Sequence, residues 1–206
     1  MELFKNEQNK DWTGNSNSVF KSLGASNHTE EERQENDYYA TEPIAIDLLL
    51  ELEKFQNVLE PACGEGHLSE VLIKNNIHGR SCDLIDRGYG FTGIDFLSVE
   101  NNNWDGDIIT NPPFKYSKEF VEKSLDIIPI GNKIAMFLKL QFMETKGRKQ
   151  LFIDNPPKII YVSASRLLCA KNGDFVKAKK EGSAVAYAWY VWEKGFKGDT
   201  VIKWFN

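Results

Sequence analysis

The chain has 206 residues, 41% of them hydrophobic and 12% aromatic, which suits one compact domain with a sizeable core. Its net charge of −5 argues against a uniformly basic surface, and no apolar run approaches the roughly twenty residues of a membrane-spanning helix. The three cysteines, Cys63, Cys82 and Cys169, are odd in number and far apart without a Cys-x-x-Cys pair, which argues against a disulfide framework. Met1 to Lys5 runs into a polar stretch and not into a signal-peptide core, so a reduced, cytoplasmic chain is expected. His28, His67 and His78 lack metal-ligand spacing, and no metal is expected.

In chain order, residues 1–36 are rich in Asn, Ser, Glu and Gln and read as a poorly ordered polar arm. Pro43 opens a helix through about Phe55, with Ile44, Leu48 and Leu52 as its apolar stripe. A strand over 57–61 runs through a glycine turn into a helix over 67–75. Strands are expected at 80–85, near 91–95 and at 106–110, followed by an amphipathic helix from Lys118 to Ile128. Residues 133–138 form a fully apolar strand, a helix covers about 144–153, and strands near 158–164 and 184–192 complete the layout. The strand–helix alternation implies a parallel sheet with right-handed crossovers. The last two strands read as an antiparallel pair separated by a polar insertion, 165–183, that is long for a hairpin loop.

Two segments carry the chemistry. Asn111-Pro112-Pro113-Phe114 follows the short apolar run Asp107 to Thr110, so it sits on the loop at that strand's carboxyl end, where open α/β sheets bind ligands. Two successive prolines fix the backbone and remove two N–H donors. The Asn111 amide, the Pro112 carbonyl and the Phe114 ring remain, a set suited to a planar group bearing an amine. The second segment is Glu60-Pro61-Ala62-Cys63-Gly64-Glu65-Gly66, whose glycines let backbone approach a ligand closely. Ser69 stands where the third glycine of a dinucleotide fingerprint would be, and no Gly-Lys-Ser/Thr of a P-loop follows. The acidic Glu60 disfavours a phosphate and suits S-adenosylmethionine better.

These two segments together resemble the amino-group DNA methyltransferases, chiefly those that make N6-methyladenine. Asp37-Tyr38-Tyr39-Ala40-Thr41-Glu42-Pro43 is similar to the segment that precedes the first motif there and holds the methionine end of the cofactor. The resemblance implies cofactor contacts from Tyr39, Thr41, Glu60, Pro61, Ala62, Gly64, Gly66 and Asn111, with Asp83 on the ribose hydroxyls and Asp95-Phe96 at the adenine. It extends through Lys139 to Glu144 and Ala188 to Trp192, which look like small methyltransferases common in prophages. It implies the class I S-adenosylmethionine-dependent methyltransferase (Rossmann-like) α/β fold, with a seven-stranded, mostly parallel sheet carrying one antiparallel strand. A catalytic domain over 37–206, a bacterial or phage origin and a role such as restriction-modification follow from it as expectations. The order of the parts is that of the gamma class, whose recognition domain lies at the carboxyl end. No full recognition domain is expected in the residues after Phe114, which leaves room for a separate specificity partner.

Charge divides unevenly along the chain. Residues 1–110 hold 8 Lys/Arg against 21 Asp/Glu, and residues 111–206 hold 17 against 9, so the second half is the natural source of a DNA-binding face. Arg166, Lys171, Lys177, Lys179 and Lys180 cluster in the insertion and are the expected DNA contacts. The same loop chemistry also serves N4-cytosine, amines of RNA bases and a glutamine amide in proteins, and a non-catalytic binding module is the rival of another class. The Trp189–Trp192 run reads as core, and Cys63 as small-residue packing in the turn.

Overall fold

A computed structural model describes residues 38–100, 103–181 and 185–206; the expected polar arm over 1–36 lies outside the described residues. Alternation along the strands dictates the architecture. In β5 (Lys133–Lys139), Ala135 and Phe137 face one layer while Ile134, Met136 and Leu138 face the other. In β8 (Tyr187–Glu193), Tyr187, Trp189 and Val191 face the first layer, and Ala188, Tyr190 and Trp192 the second. A strand apolar on both faces needs cover on both, and helices supply it.

The first layer is built by α1 (Ile44–Leu52) and α2 (His67–Lys74), which bury Ala45, Ile46, Leu49, Leu68, Val71 and Leu72. The second is built by α3 (Ser117–Ile127) and α4 (Lys149–Asp154), through Phe120, Val121, Leu125 and Leu151. Trp189 and Trp192 are 0% and 1% exposed, and their indole N–H groups donate to Ala45 O and Asn155 O, as core indoles should.

The remaining strands of the main sheet are β2 (Val58–Glu60), β3 (His78–Ser81), β4 (Ile108–Thr110), β6 (Ile159–Ser163) and β9 (Val201–Phe205). With β5 and β8 they make seven strands in the order β3-β2-β4-β5-β8-β6-β9, all parallel except β8, which runs antiparallel to both neighbours. The carboxyl ends of β2 and β4 therefore lie side by side, and the two motif segments leave the sheet at adjacent points.

Four departures from the sequence expectations have physical causes. The strand near 91–95 is reduced to a single bridge, Cys82 to Phe91, because Gly90 and Gly93 on either side take left-handed φ values of 66° and 72°. The helix expected from 144 starts at Lys149, preceded by two 3-10 turns, Leu140–Met143 and Lys146–Arg148. Arg148 holds those turns by donating to the carbonyls of Gln141, Phe142 and Glu144. An unforeseen strand, β9, extends the sheet beyond β6. The described part of the insertion holds regular structure: β7 (Cys169–Lys171) and α5 (Phe175–Glu181) lie within it, and β7 pairs antiparallel with β1 (Tyr39–Thr41) as a separate two-stranded sheet.

Candidate active site

The glycine turn begins where β2 ends. Gly64 and Gly66 both take left-handed conformations, φ 55° and 85°, and Gly66 caps the start of α2. A Cβ on Gly64 would lie 2.1 Å from the Tyr38 ring, and one on Gly66 would lie 2.5 Å from the Tyr89 ring. Two aromatic rings thus rest directly on the turn. The Tyr38 hydroxyl accepts the Glu65 N–H at 3.2 Å and lies 3.1 Å from His67 Nδ1. Arg87 stacks on the same ring.

Asp83, just past β3, accepts the Gly64 N–H at 2.8 Å through Oδ2 and the Ile85 N–H at 2.9 Å through Oδ1. A carboxylate has about four acceptor positions, so two remain for other donors. Glu60 is different. It is 1% exposed and hydrogen-bonded by the Ser69 hydroxyl, which also contacts Ser81; His78 Nε2 meets Ser81 Oγ at 2.7 Å. The partner that a buried acid requires is therefore inside the chain, at the position where a dinucleotide fingerprint would have glycine. Burial pushes the Glu60 carboxyl up to about 8, against the lowering effect of the Ser69 bond.

That shift has a testable sign. The folded state holds the Glu60 proton more tightly than the unfolded chain, so its stabilising share is full at low pH and is lost as pH rises through about 8. Glu60→Gln should flatten the pH dependence of thermal stability between about pH 5 and 9, gaining on the wild type at the alkaline end. Parallel melting curves with unchanged separation across that range would contradict this.

The second motif lies on β4's exit. Asn111 is half-buried, and its Nδ2 donates to Tyr39 O at 3.1 Å and Thr41 Oγ1 at 2.8 Å, with Cys169 Sγ at 3.8 Å. Since a backbone carbonyl only accepts, the amide nitrogen must face Tyr39, and the orientation of the side chain is fixed by chemistry. Its Oδ1 is buried and has no hydrogen-bond partner among the described residues. Pro112 is buried and Pro113 exposed. The Pro113 carbonyl accepts the Tyr116 N–H, which starts the turn into α3. The half-buried Phe114 ring lies 6.1 Å from Tyr39 and 6.0 Å from Tyr187 between centroids, and Lys139 Nζ sits 4.5 Å from its centre.

Two further site candidates follow Ile94, whose N–H donates to Asp83 O at 3.0 Å. Asp95 is exposed, and its carboxylate accepts the Leu97 N–H and the Ser98 hydroxyl of its own turn, which holds its pKa below the usual range. Phe96, 4% exposed, packs against Phe120 with centroids 5.1 Å apart. Pro61 is buried and Ala62 half-buried beside the turn. In the insertion, Arg166 lines a cavity of about 210 Å³ with Leu167 and Tyr187, next to the Phe114 cluster. Lys179 pairs with Glu42 at 3.0 Å, and Lys171, Lys177 and Lys180 are exposed.

Sequence reasoning missed Tyr89, Lys139, Cys169 and Tyr187 as members of this neighbourhood. The apolar run Leu167 to Ala170 was the available signal for β7, and it places Cys169 opposite Thr41. Burial pushes the Cys169 and Cys63 thiols up to about 12, so neither is a thiolate nucleophile at neutral pH. Among the described residues, no cluster of three or more His, Cys, Asp or Glu is placed to hold a metal, and no helix is long and apolar enough to cross a membrane.

No family model and no curated protein sequence matches the chain. Solved structures do. A chain assigned to the class I S-adenosylmethionine-dependent methyltransferases, from Listeria monocytogenes, superposes with a TM-score of 0.53 at 11% identity, over 79% of this chain and 63% of its own. The type IIG restriction endonuclease BpuSI gives 0.53 at 12% identity, over 81% of this chain and 26% of that one. A dimethyladenosine transferase from Plasmodium falciparum gives 0.51 at 15% identity, over 75% and 62%. The chain thus spans less than two thirds of each of these proteins. At such identities the likeness defines the fold: this chain has the class I S-adenosylmethionine-dependent methyltransferase fold, with its seven-stranded sheet and single antiparallel strand.

Proposed function

We propose that this protein transfers a methyl group from S-adenosylmethionine to the exocyclic N6 amine of adenine in DNA. The observation that carries the reading is the Asn111 side chain: both amide hydrogens are committed, and Oδ1 is a buried acceptor with no donor among the described residues. Such an atom costs about 1–3 kcal/mol until a donor reaches it. An amine supplies that donor. Because Oδ1 is buried, a substrate amine reaches it only after local movement.

The residues fit the cofactor. Gly64 and Gly66 bring bare backbone to the carboxyl end of β2, and Asp83 keeps acceptor positions for ribose hydroxyls. When bound there, S-adenosylmethionine supplies an electrophilic methyl group on a sulfonium sulfur and leaves as S-adenosylhomocysteine. Pro61 and Ala62 shape the same wall, and Tyr39, Asp95 and Phe96 belong to the set that the family resemblance assigns to the cofactor.

An aromatic amine is a poor nucleophile because its lone pair is delocalised into the ring. Asn111 Oδ1 and the Pro112 carbonyl, accepting its two hydrogens, favour a pyramidal nitrogen whose lone pair is directed out of the ring plane. Acceptors fixed before the substrate arrives need no reorganisation as positive charge builds on nitrogen. No buried base is required, since the methylated nitrogen is a strong acid. Phe114 stacks on a base turned out of the duplex and offsets part of its unstacking cost. Lys139 places a positive charge at the same loop, and Arg166 lies at the cavity beside it, both on the basic half of the chain. Lys171, Lys177, Lys179 and Lys180, exposed in the insertion, are the further candidates for phosphate contact.

Phe114→Ala should raise KM for DNA by roughly tenfold or more, from a stacking contribution of about 1–3 kcal/mol, with Phe114→Trp close to wild type. An unchanged KM for DNA in Phe114→Ala would remove the ring from the substrate site. The substrate itself is tested by mass spectrometry of nucleosides from unmethylated DNA, and separately from RNA, after incubation with the protein and S-adenosylmethionine. N6-methyladenine from DNA is the expected product. N4-methylcytosine would retain the mechanism and change the base. Methylated adenine from RNA alone would overturn the DNA reading in favour of an RNA base amine.

A further inference from the structure

The amide of asparagine is nearly symmetric in shape, so an unheld Asn111 could turn its NH₂ toward the substrate and oppose one donor with another. The structure holds it against that rotation. Tyr39 O takes one amide hydrogen at 3.1 Å and Thr41 Oγ1 the other at 2.8 Å. A flipped amide would set Oδ1 against the Tyr39 carbonyl, two acceptors facing each other.

These two acceptors sit on a three-residue strand, and a two-stranded pair of that length is marginal unless anchored. The insertion anchors it. Tyr39, Ala40 and Thr41 pair with Lys171, Ala170 and Cys169, with Ala40 and Ala170 2% and 0% exposed. Glu42 N–H donates to Leu168 O at 3.0 Å, Asn172 N–H to Tyr38 O at 2.9 Å, and Lys179 pairs with Glu42 at 3.0 Å. Thr41 itself is 3% exposed, so its hydroxyl faces inward to Asn111 and the Cys169 thiol.

We infer that Thr41 is a positioning residue for Asn111, and that the β7 segment of the insertion clamps β1 so that the Asn111 oxygen stays presented to the substrate amine. The inference rests on the base-amine reading above for its catalytic consequence, but the lock can be observed without activity. It gives Thr41 a role other than cofactor contact and gives the insertion an internal one.

The test uses Thr41→Val, which keeps the volume and removes the acceptor, and Thr41→Ser, which keeps the hydroxyl. In Thr41→Val one amide hydrogen loses its buried partner, so kcat on unmethylated DNA should fall about tenfold to a hundredfold. KM for DNA and for S-adenosylmethionine should stay within about threefold, since neither ligand loses a contact. The Asn111 side-chain amide resonance, assigned by its loss in Asn111→Ala, should shift in Thr41→Val and hold in Thr41→Ser. An unmoved resonance in Thr41→Val overturns the lock, as does a Thr41→Ser variant as impaired as Thr41→Val. A raised KM for S-adenosylmethionine with kcat intact overturns it in favour of direct cofactor contact. If the resonance moves while the wild type methylates no base amine, the lock stands and the base-amine reading falls.

Discussion

Asn111→Ala should lower kcat by about two to three orders of magnitude, the scale seen when one preorganised polar group is removed from a transition state. The substitution deletes the free acceptor Oδ1 and leaves Tyr39 O and Thr41 Oγ1 without their amide donor. Binding of S-adenosylmethionine, followed by calorimetry, should survive largely intact, because the glycine turn and Asp83 are untouched. Asn111→Asp should be nearly as inactive for a different reason: its second oxygen would face the Tyr39 carbonyl in place of a donor, so the side chain must protonate or turn away. A variant that keeps most of its kcat would remove Asn111 from the chemistry.

Gly64→Ala should damage both stability and cofactor affinity. Its backbone is left-handed at φ 55°, which costs a residue with a Cβ about 1–2 kcal/mol. The new methyl would also stand 2.1 Å from the Tyr38 ring, so the ring must leave. Its departure breaks the bonds from Glu65 N–H and to His67 and the Arg87 stack. Strain and overpacking together come to about 2–4 kcal/mol, or a fall in melting temperature of roughly 5–15 °C. Affinity for S-adenosylmethionine should drop about tenfold or more, since the turn that would cradle it is displaced. A melting temperature and affinity equal to the wild type would show that the turn is more plastic than its conformation implies.

What could be read from the sequence depended on range. Local patterns carried far: the continuous apolar run of residues 133–138, Pro43 before α1, and the glycine turn before α2 each fixed an element within a few residues. Asn111 to Phe114 was legible because two prolines after a strand leave few choices for the backbone. Long-range pairing was not legible. β1 and β7 have three residues each, too few for a period, and Thr41 meets Cys169 across most of the domain. Nothing in either segment announces the other, so the insertion read as a long loop and its pairing with β1 was not foreseen. Glu60 shows the same limit in miniature. A buried acid needs a partner, but only the helical turn reveals that Ser69 provides it. The expected strand near 91–95 failed because Gly90 and Gly93 outweigh the extended preference of Phe91 and Thr92.

The central claim is that Asn111 directs methyl transfer to a base amine, and one comparison tests it. Wild type and Asn111→Ala would each be given unmethylated DNA and S-adenosylmethionine labelled in the methyl carbon, in a single turnover, with the labelled nucleosides identified by mass spectrometry. Labelled N6-methyladenine should form with the wild type and fall at least about a hundredfold in rate with the variant at equal cofactor occupancy. Label in N6-methyladenine at equal rates from both proteins, or label recovered only on a group other than a base amine, would contradict the account.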